Sequence, residues 1–186
     1  MSKRKEWEKL KKEMVADRKL PLRLTAKNLV FGEGSLNPII YFMGEAPGRV
    51  EDETGRPFSG RAGKLLSELI ESIGIKRKDV YISSVVRFRP PQNRYPKPSE
   101  VRAHQKYVDR ELLVIKPRLI VPLGRLALSK FLPLQTVTNA HGKVFKIDLN
   151  GLQTVVVPMY HPAAGLRNPA FKKALFKDFK ILKKLI

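Results

Sequence analysis

Pro38-Ile39-Ile40-Tyr41-Phe42-Met43, running straight into Gly44-Glu45-Ala46-Pro47-Gly48, is the stretch that decides the fold. A short apolar run without polar alternation suits a strand covered on both faces, and the small residues after it make a loop. Working outward, Val80 to Val86, Leu119 to Leu123 and Thr154 to Pro158 read as further buried strands. Between them the apolar spacing changes to three and four residues, giving helices from Gly63 to Ile73, from Pro98 to about Ile115 and from Gly124 to about Phe131. A basic helix is expected over residues 3–16, with Trp7, Leu10 and Met14 on one side. A last helix, capped by Asn168-Pro169, turns Phe171, Leu175, Phe179 and Leu182 inward. Leu20 to Asn37 reads as irregular, and Gln135 to Gln153 as a hairpin turning at Asn150-Gly151. Strands separated by helices imply a parallel sheet covered on both faces.

No repeat or linker divides the 186 residues, so a single domain is expected. The 37 Lys and Arg against 17 Asp and Glu leave a formal charge of +20, which points to a polyanion partner such as nucleic acid. The alternatives are a thermophile's charged surface or a ribosome-associated protein. There is no apolar run of about 18 residues, and the first residues form a charged helical pattern, so a soluble, cytoplasmic protein is expected. With no cysteine, disulfides, thiolate zinc sites, cysteine nucleophiles and cysteine-held iron-sulfur clusters are excluded.

Ligands of such sheets lie at the carboxyl ends of the strands. The segment after Met43 holds Gly44 to Gly48, Glu51-Asp52 and Gly55-Arg56-Pro57-Phe58-Ser59-Gly60-Arg61-Ala62-Gly63. Its glycines admit a flat ligand close to the backbone, whose amides can donate to carbonyl oxygens. Neither the phosphate loop nor the dinucleotide fingerprint is present. Phe58 is either a stacking platform for a base or an ordinary core plug. After Pro158 comes Tyr160-His161-Pro162-Ala163-Ala164-Gly165-Leu166-Arg167. His161 can present a ring nitrogen to an oxygen gaining negative charge, or serve as a structural hydrogen-bonder. Leu166-Arg167 suits an apolar wedge with a phosphate clamp.

In order and spacing, GEAPG (44–48), ED (51–52), GRPFSGRAGKLL (55–66), YISSVVRFRPPQNRYPKP (81–98), IKPRLIVPLG (115–124) and YHPAAGLRNP (160–169) resemble the bacterial and archaeal type 4 uracil-DNA glycosylases. The resemblance implies a three-layer α/β/α fold with a central four-stranded, mostly parallel sheet, and excision of a deaminated base, uracil foremost, in base excision repair. It implies that Phe58 stacks on the extruded base, that Gly44, Glu45 and Ala46 line it with backbone amides, and that His161 stabilises charge on its O2 oxygen. Glu45 and Glu51 are then the candidates for positioning water or stabilising the sugar cation. Ala46 falls where the best-known uracil glycosylases carry a water-activating aspartate. A monomer binding damaged DNA is expected, with contacts from Arg61, Lys64, Arg87, Arg89, Arg94, Lys97, Leu166 and Arg167. Arg77, Lys78, Lys172, Lys173, Lys183 and Lys184 are expected on a solvated face.

Two departures stand out. Ser84 takes the place of the asparagine that reads uracil in this family, and one hydroxyl cannot make both of the amide's contacts. A water completing the reading, weaker uracil activity, or a shift to hypoxanthine or xanthine would each answer that change, as would a catalytically weak lesion-binding relative. Asp17, Leu20, Phe88 and His104 fall at the four cysteines that hold the family's iron-sulfur cluster, so no cluster and no metal are expected, with apolar packing by Leu20 and Phe88 in their stead.

Overall fold

The computed structural model describes residues 2–149 and 151–186, so the expected turn at Asn150 lies outside the described residues. In chain order the elements are α1 (Lys3–Ala16), β1 (Glu33–Gly34), β2 (Tyr41–Gly44), α2 (Arg49–Thr54), α3 (Arg61–Ser72), β3 (Tyr81–Ser84), α4 (Pro98–Ile115) and β4 (Leu119–Pro122). There follow α5 (Arg125–Phe131), α6 (Val137–Ala140), β5 (Phe145–Leu149), β6 (Leu152–Val156), α7 (Pro162–Arg167) and α8 (Pro169–Leu182). Among the described residues no helix is long and apolar enough to cross a membrane.

Among the described residues the sheet has six strands in the order β1-β3-β2-β4-β6-β5, two more than the central four expected. β3, β2, β4 and β6 pair in parallel, while β1 and β5 add antiparallel edges. β1 escaped the sequence, whereas β5 is the first arm of the expected hairpin, which starts only at Phe145 because Val137–Ala140 forms the helix α6. β1 is two residues long and carries no period to read. β5 alternates half-buried and exposed positions, as a strand with one neighbour and one wet face does. Its partner β6 merges the second arm of the expected hairpin with the expected fourth strand.

The period of two along each strand divides the core. Phe42, Ile82 and Val121 face α3 and α8, where Phe42 stacks on Phe179 with ring centroids 5.8 Å apart. Tyr41, Met43, Tyr81, Ile120 and Val156 face α4 and α5. A third cluster joins Leu10 and Met14 of α1 to Leu20, Phe31, Phe88 and Tyr107. It ties the amino-terminal helix and the proline-rich segment after β3 to α4.

Candidate active site

Strand register places the site. Gly44 and Ser84 are paired at the carboxyl ends of β2 and β3. The ladder continues beyond them, with the Val85 and Val86 amides donating to the Gly44 and Glu45 carbonyls, each at 3.0 Å. On the other flank Leu123 pairs with Met159, and the Gly124 amide donates to the Met159 carbonyl at 3.0 Å. Segments following β2, β3, β4 and β6 therefore leave the sheet side by side.

Two glycines show how closely these segments meet. A Cβ on Gly44 would lie 2.6 Å from Phe58 Cε2 and 3.4 Å from Ser84 Oγ. A Cβ on Gly124, whose φ is +89°, would lie 2.7 Å from Glu45 Oε1 and 3.2 Å from the His161 Cβ. Phe58, Ser84, Glu45 and His161, read separately along 117 residues of chain, are thus brought into one cluster.

His161 caps α7: its Nδ1 accepts the Ala163 amide at 3.1 Å. That bond leaves the proton of the neutral ring on Nε2, as a donor. Burial, helped by the charge of Arg167, pulls the ring's pKa down to about 4, so it is neutral at physiological pH. The ring lies against Phe58, centroids 5.5 Å apart and planes inclined by 28°. Phe58 itself has φ +49°, a left-handed backbone that costs an aromatic residue about 1–3 kcal/mol. It is 8% exposed and packs into the main core, as a plug would. A plug, however, needs no strained backbone.

Glu45 Oε1 accepts the Leu126 amide at 3.0 Å at the start of α5. Burial raises its carboxyl pKa, against the opposing pull of that amide and of Arg125. Glu51 is engaged differently. Its Oε2 accepts the Gly48 amide at 3.1 Å and its Oε1 the Gly60 amide at 2.9 Å, so it braces the two ends of the glycine-rich segment. Ser84 as a residue is 5% exposed, and its hydroxyl is not one of the buried side-chain atoms left without a partner among the described residues, which are Arg87 Nε and His104 Nε2.

The expected DNA contacts divide. Arg87 is 1% exposed and pairs with Glu111 at 2.8 Å inside the protein, so it is not a phosphate contact. Arg94 is committed to Glu100 through both terminal nitrogens, at 2.8 and 2.6 Å. Arg89 donates to Asn93 at 2.7 Å, while Arg61, Lys64, Lys97, Leu166 and Arg167 are exposed. The expected wedge loop is a helix, α7, packed on α3 through Gly165 and Leu65, so Arg61, Lys64, Leu166 and Arg167 sit on adjoining helices. Arg77 does not belong to a solvated face either. It is hydrogen-bonded behind Phe58.

Sequence reasoning missed Glu111 and Arg125. Glu111 accepts from Tyr41, Ser83, Tyr81 and both terminal nitrogens of Arg87 while wholly buried. The signal was present, since Glu111 follows Tyr107 by four and Val108 by three residues on the inner face of α4. Arg125 lies over the exposed ring of Tyr95, 4.9 Å from its centroid, and its charge reaches Glu45.

The residues at the family's cluster positions do not fit an iron-sulfur cluster. Leu20 and Phe88 lie in the third apolar cluster, and His104 meets Phe88 edge-on, with ring centroids 6.1 Å apart. His104 Nδ1 donates to the Glu100 carbonyl at 2.8 Å. Asp17 accepts from Lys106 at 2.9 Å and Tyr107 at 2.7 Å, which pull its pKa down to about 2. Among the described residues no group of three or more His, Cys, Asp or Glu is placed to hold a metal ion.

Comparison with known proteins shows the family. The family model for the uracil-DNA glycosylase superfamily matches residues 31–181. A type-4 uracil-DNA glycosylase of Archaeoglobus fulgidus is 43% identical over 174 residues, covering 91% of this chain and 87% of the relative. That of Sulfurisphaera tokodaii is 41% identical over 96% of this chain and 84% of the relative, and that of Thermotoga maritima 43% over 89% and 87%. The chain belongs to the uracil-DNA glycosylase superfamily, and within it stands with the type-4 enzymes.

Proposed function

We propose that this protein removes uracil from DNA, extruding the nucleotide and hydrolysing its N-glycosidic bond to leave an abasic site for base excision repair. The observation that supports this most is the meeting of the neutral His161, the strained Phe58 and the Gly44–Ser84 pair at one end of the sheet. Extrusion costs a few kcal/mol of unstacking, which Phe58 offsets by stacking on the base. As the bond breaks, its electron pair passes to the base and negative charge builds on O2. The His161 Nε2–H donates to that oxygen from a fixed position, so little reorganisation is needed. The sugar becomes cationic. Glu45, with Oε1 held by Leu126, offers its second oxygen to the cation and to the water that adds to C1′, and the proton that this water sheds goes in the balance to the departing base anion. Glu51 serves this site by holding the loop. Arg61, Lys64, Arg89, Leu166 and Arg167 face the DNA, where phosphate contacts set position and carry no base information. In this reading the protein is one domain, monomeric and free of a cluster.

A duplex with a single uracil tests it: free base and an abasic site are expected without added metal or cofactor. Absence of product on uracil, hypoxanthine and xanthine alike overturns the enzymatic reading.

Ser84 favours a second reading, a pocket whose base preference has moved. The hydroxyl has one donor, on a side chain two heavy atoms smaller than that of asparagine, so it cannot reach both of the amide's contacts on the base directly. Ser84→Asn is expected to raise uracil excision relative to hypoxanthine by on the order of 10-fold, the equivalent of about 1.4 kcal/mol and one hydrogen bond. An unchanged ratio means that the base is read elsewhere.

A further inference from the structure

Arg77 opens the short turn Arg77–Asp79 ahead of β3. Its Nη2 donates to the Pro57 carbonyl at 2.9 Å and the Phe58 carbonyl at 3.1 Å, and its Nη1 to Ser67 Oγ at 3.0 Å. Glu33 of the edge strand β1 stands 3.9 Å from the same guanidinium and also holds Arg56, at 3.1 Å. The Phe58 carbonyl also lies close against Gly63, where a Cβ would lie 1.7 Å from that oxygen. The left-handed Phe58 is therefore fixed at its carbonyl by a glycine that leaves room for it and by an arginine that bonds to it.

We propose that Arg77 is the positioning residue that sets Phe58 for base stacking, by clamping the carbonyls of Pro57 and Phe58 from behind the ring. Carbonyls in an irregular segment lack the partners that a helix or sheet supplies, and a strained conformation persists only where its surroundings over-determine it. A guanidinium suits the task because its planar fork reaches both carbonyls and Ser67 at once, whereas an ammonium is a single point. Arg77 lies behind the loop and touches no reacting atom. Its influence runs through Phe58, so the inference rests on reading Phe58 as the platform.

The test is a double-mutant cycle, with single-turnover excision measured on a single-uracil duplex and affinity measured on a duplex bearing a tetrahydrofuran abasic analogue. Arg77→Ala is expected to slow excision by about 10- to 100-fold, as small misplacements of a catalytic contact do. Affinity for the abasic duplex should change by less than about 3-fold, because phosphate contacts dominate it. In a Phe58→Ala background the further loss from Arg77→Ala should shrink to less than about 3-fold, since both changes remove the same placed ring. Guanidinium ion at millimolar concentration should restore part of the Arg77→Ala rate. If Arg77→Ala does not fold, Arg77→Lys, which keeps the charge and loses the fork, carries the same cycle.

Losses that multiply in the double variant, a full rate in Arg77→Ala, or equal falls in rate and affinity overturn the clamp. A full rate in Phe58→Ala overturns the platform reading itself, and the clamp with it.

Discussion

His161→Ala is expected to slow base release by about 10²- to 10³-fold, the usual loss when one fixed donor to a developing oxyanion is removed. Binding to an abasic duplex should change far less, because the charge that His161 meets arises only as the glycosidic bond breaks. The structure adds a condition on protonation. The ring donates from Nε2 only while Nδ1 accepts the Ala163 amide, and it stays neutral because its pKa is drawn down to about 4. Protonation would place a proton on Nδ1 and break the cap of α7. The single-turnover rate should therefore show no limb at the ordinary histidine value of 6.5, and His161 should limit it only as the pH falls towards 4. Measuring rate against pH from about 4 to 8 checks this. A fall centred near 6.5 that disappears in His161→Gln, which keeps a neutral donor, would contradict the neutral-donor role. Equal losses of rate and binding in His161→Ala would do the same.

The largest effect on stability is expected at Glu111. One carboxylate at 0% exposure accepts five hydrogen bonds, from Tyr41, Ser83, Tyr81 and twice from Arg87. Tyr81 in turn takes the Trp7 indole N–H at 2.7 Å, which brings α1 into the same network. Burial works against the Arg87 charge, but Glu111 outweighs it and the guanidinium stays protonated, its pKa raised above the ordinary value. Removing one partner leaves the other charge buried and unpaired, at a cost of about 3–5 kcal/mol. Glu111→Leu and Arg87→Met should each lower the melting temperature by roughly 10 °C, at about 2–4 °C per kcal/mol for a chain of this size. The double variant should regain part of that. It cannot regain all of it, because Tyr41, Tyr81 and Ser83 still lose their acceptor. Thermal unfolding of the three variants decides the matter, and single variants melting within about 2 °C of the parent would remove the network as a support of the fold.

This network also bears on the site. Arg87 follows Val86 directly, and the Val85 and Val86 amides hold the Gly44 and Glu45 carbonyls. The ion pair thus anchors the end of β3 from which Ser84 faces Phe58. Its place is beside the third apolar cluster, where the Arg87 guanidinium lies 5.6 Å from the Phe31 ring and where Leu20 and Phe88 pack. Apolar packing and one buried ion pair join the elements on which the four cluster positions of the type-4 resemblance fall.

Much of this was legible in the residues. Helices α1 and α4 begin and end as their spacing and caps dictate, since a period of 3.6 over 14 or 18 residues leaves little ambiguity. The strands β2, β3 and β4 were readable as apolar runs because a parallel sheet buries both of their faces. The helix α7 was not, since six residues rich in alanine and glycine show no apolar stripe, and its cap is the His161 imidazole. Phe58 and His161 were singled out on the loops that follow the strands, and Glu45 and Ser84 through the type-4 resemblance; the fold brings the four together.

What the sequence determined by itself was the order of the long helices and the buried parallel strands, and the family, because these depend on local period and on motifs in fixed order. The tertiary structure alone decided which charges face solvent. Arg77, Arg87 and Arg94 are indistinguishable in sequence from Arg61 and Arg167, yet the first three are spent on Phe58, Glu111 and Glu100 while the last two remain exposed. A guanidinium takes its role from the acceptors within reach of its fork, and for Arg77 and Arg87 those acceptors lie 19 and 24 positions away and become neighbours only when the chain has folded.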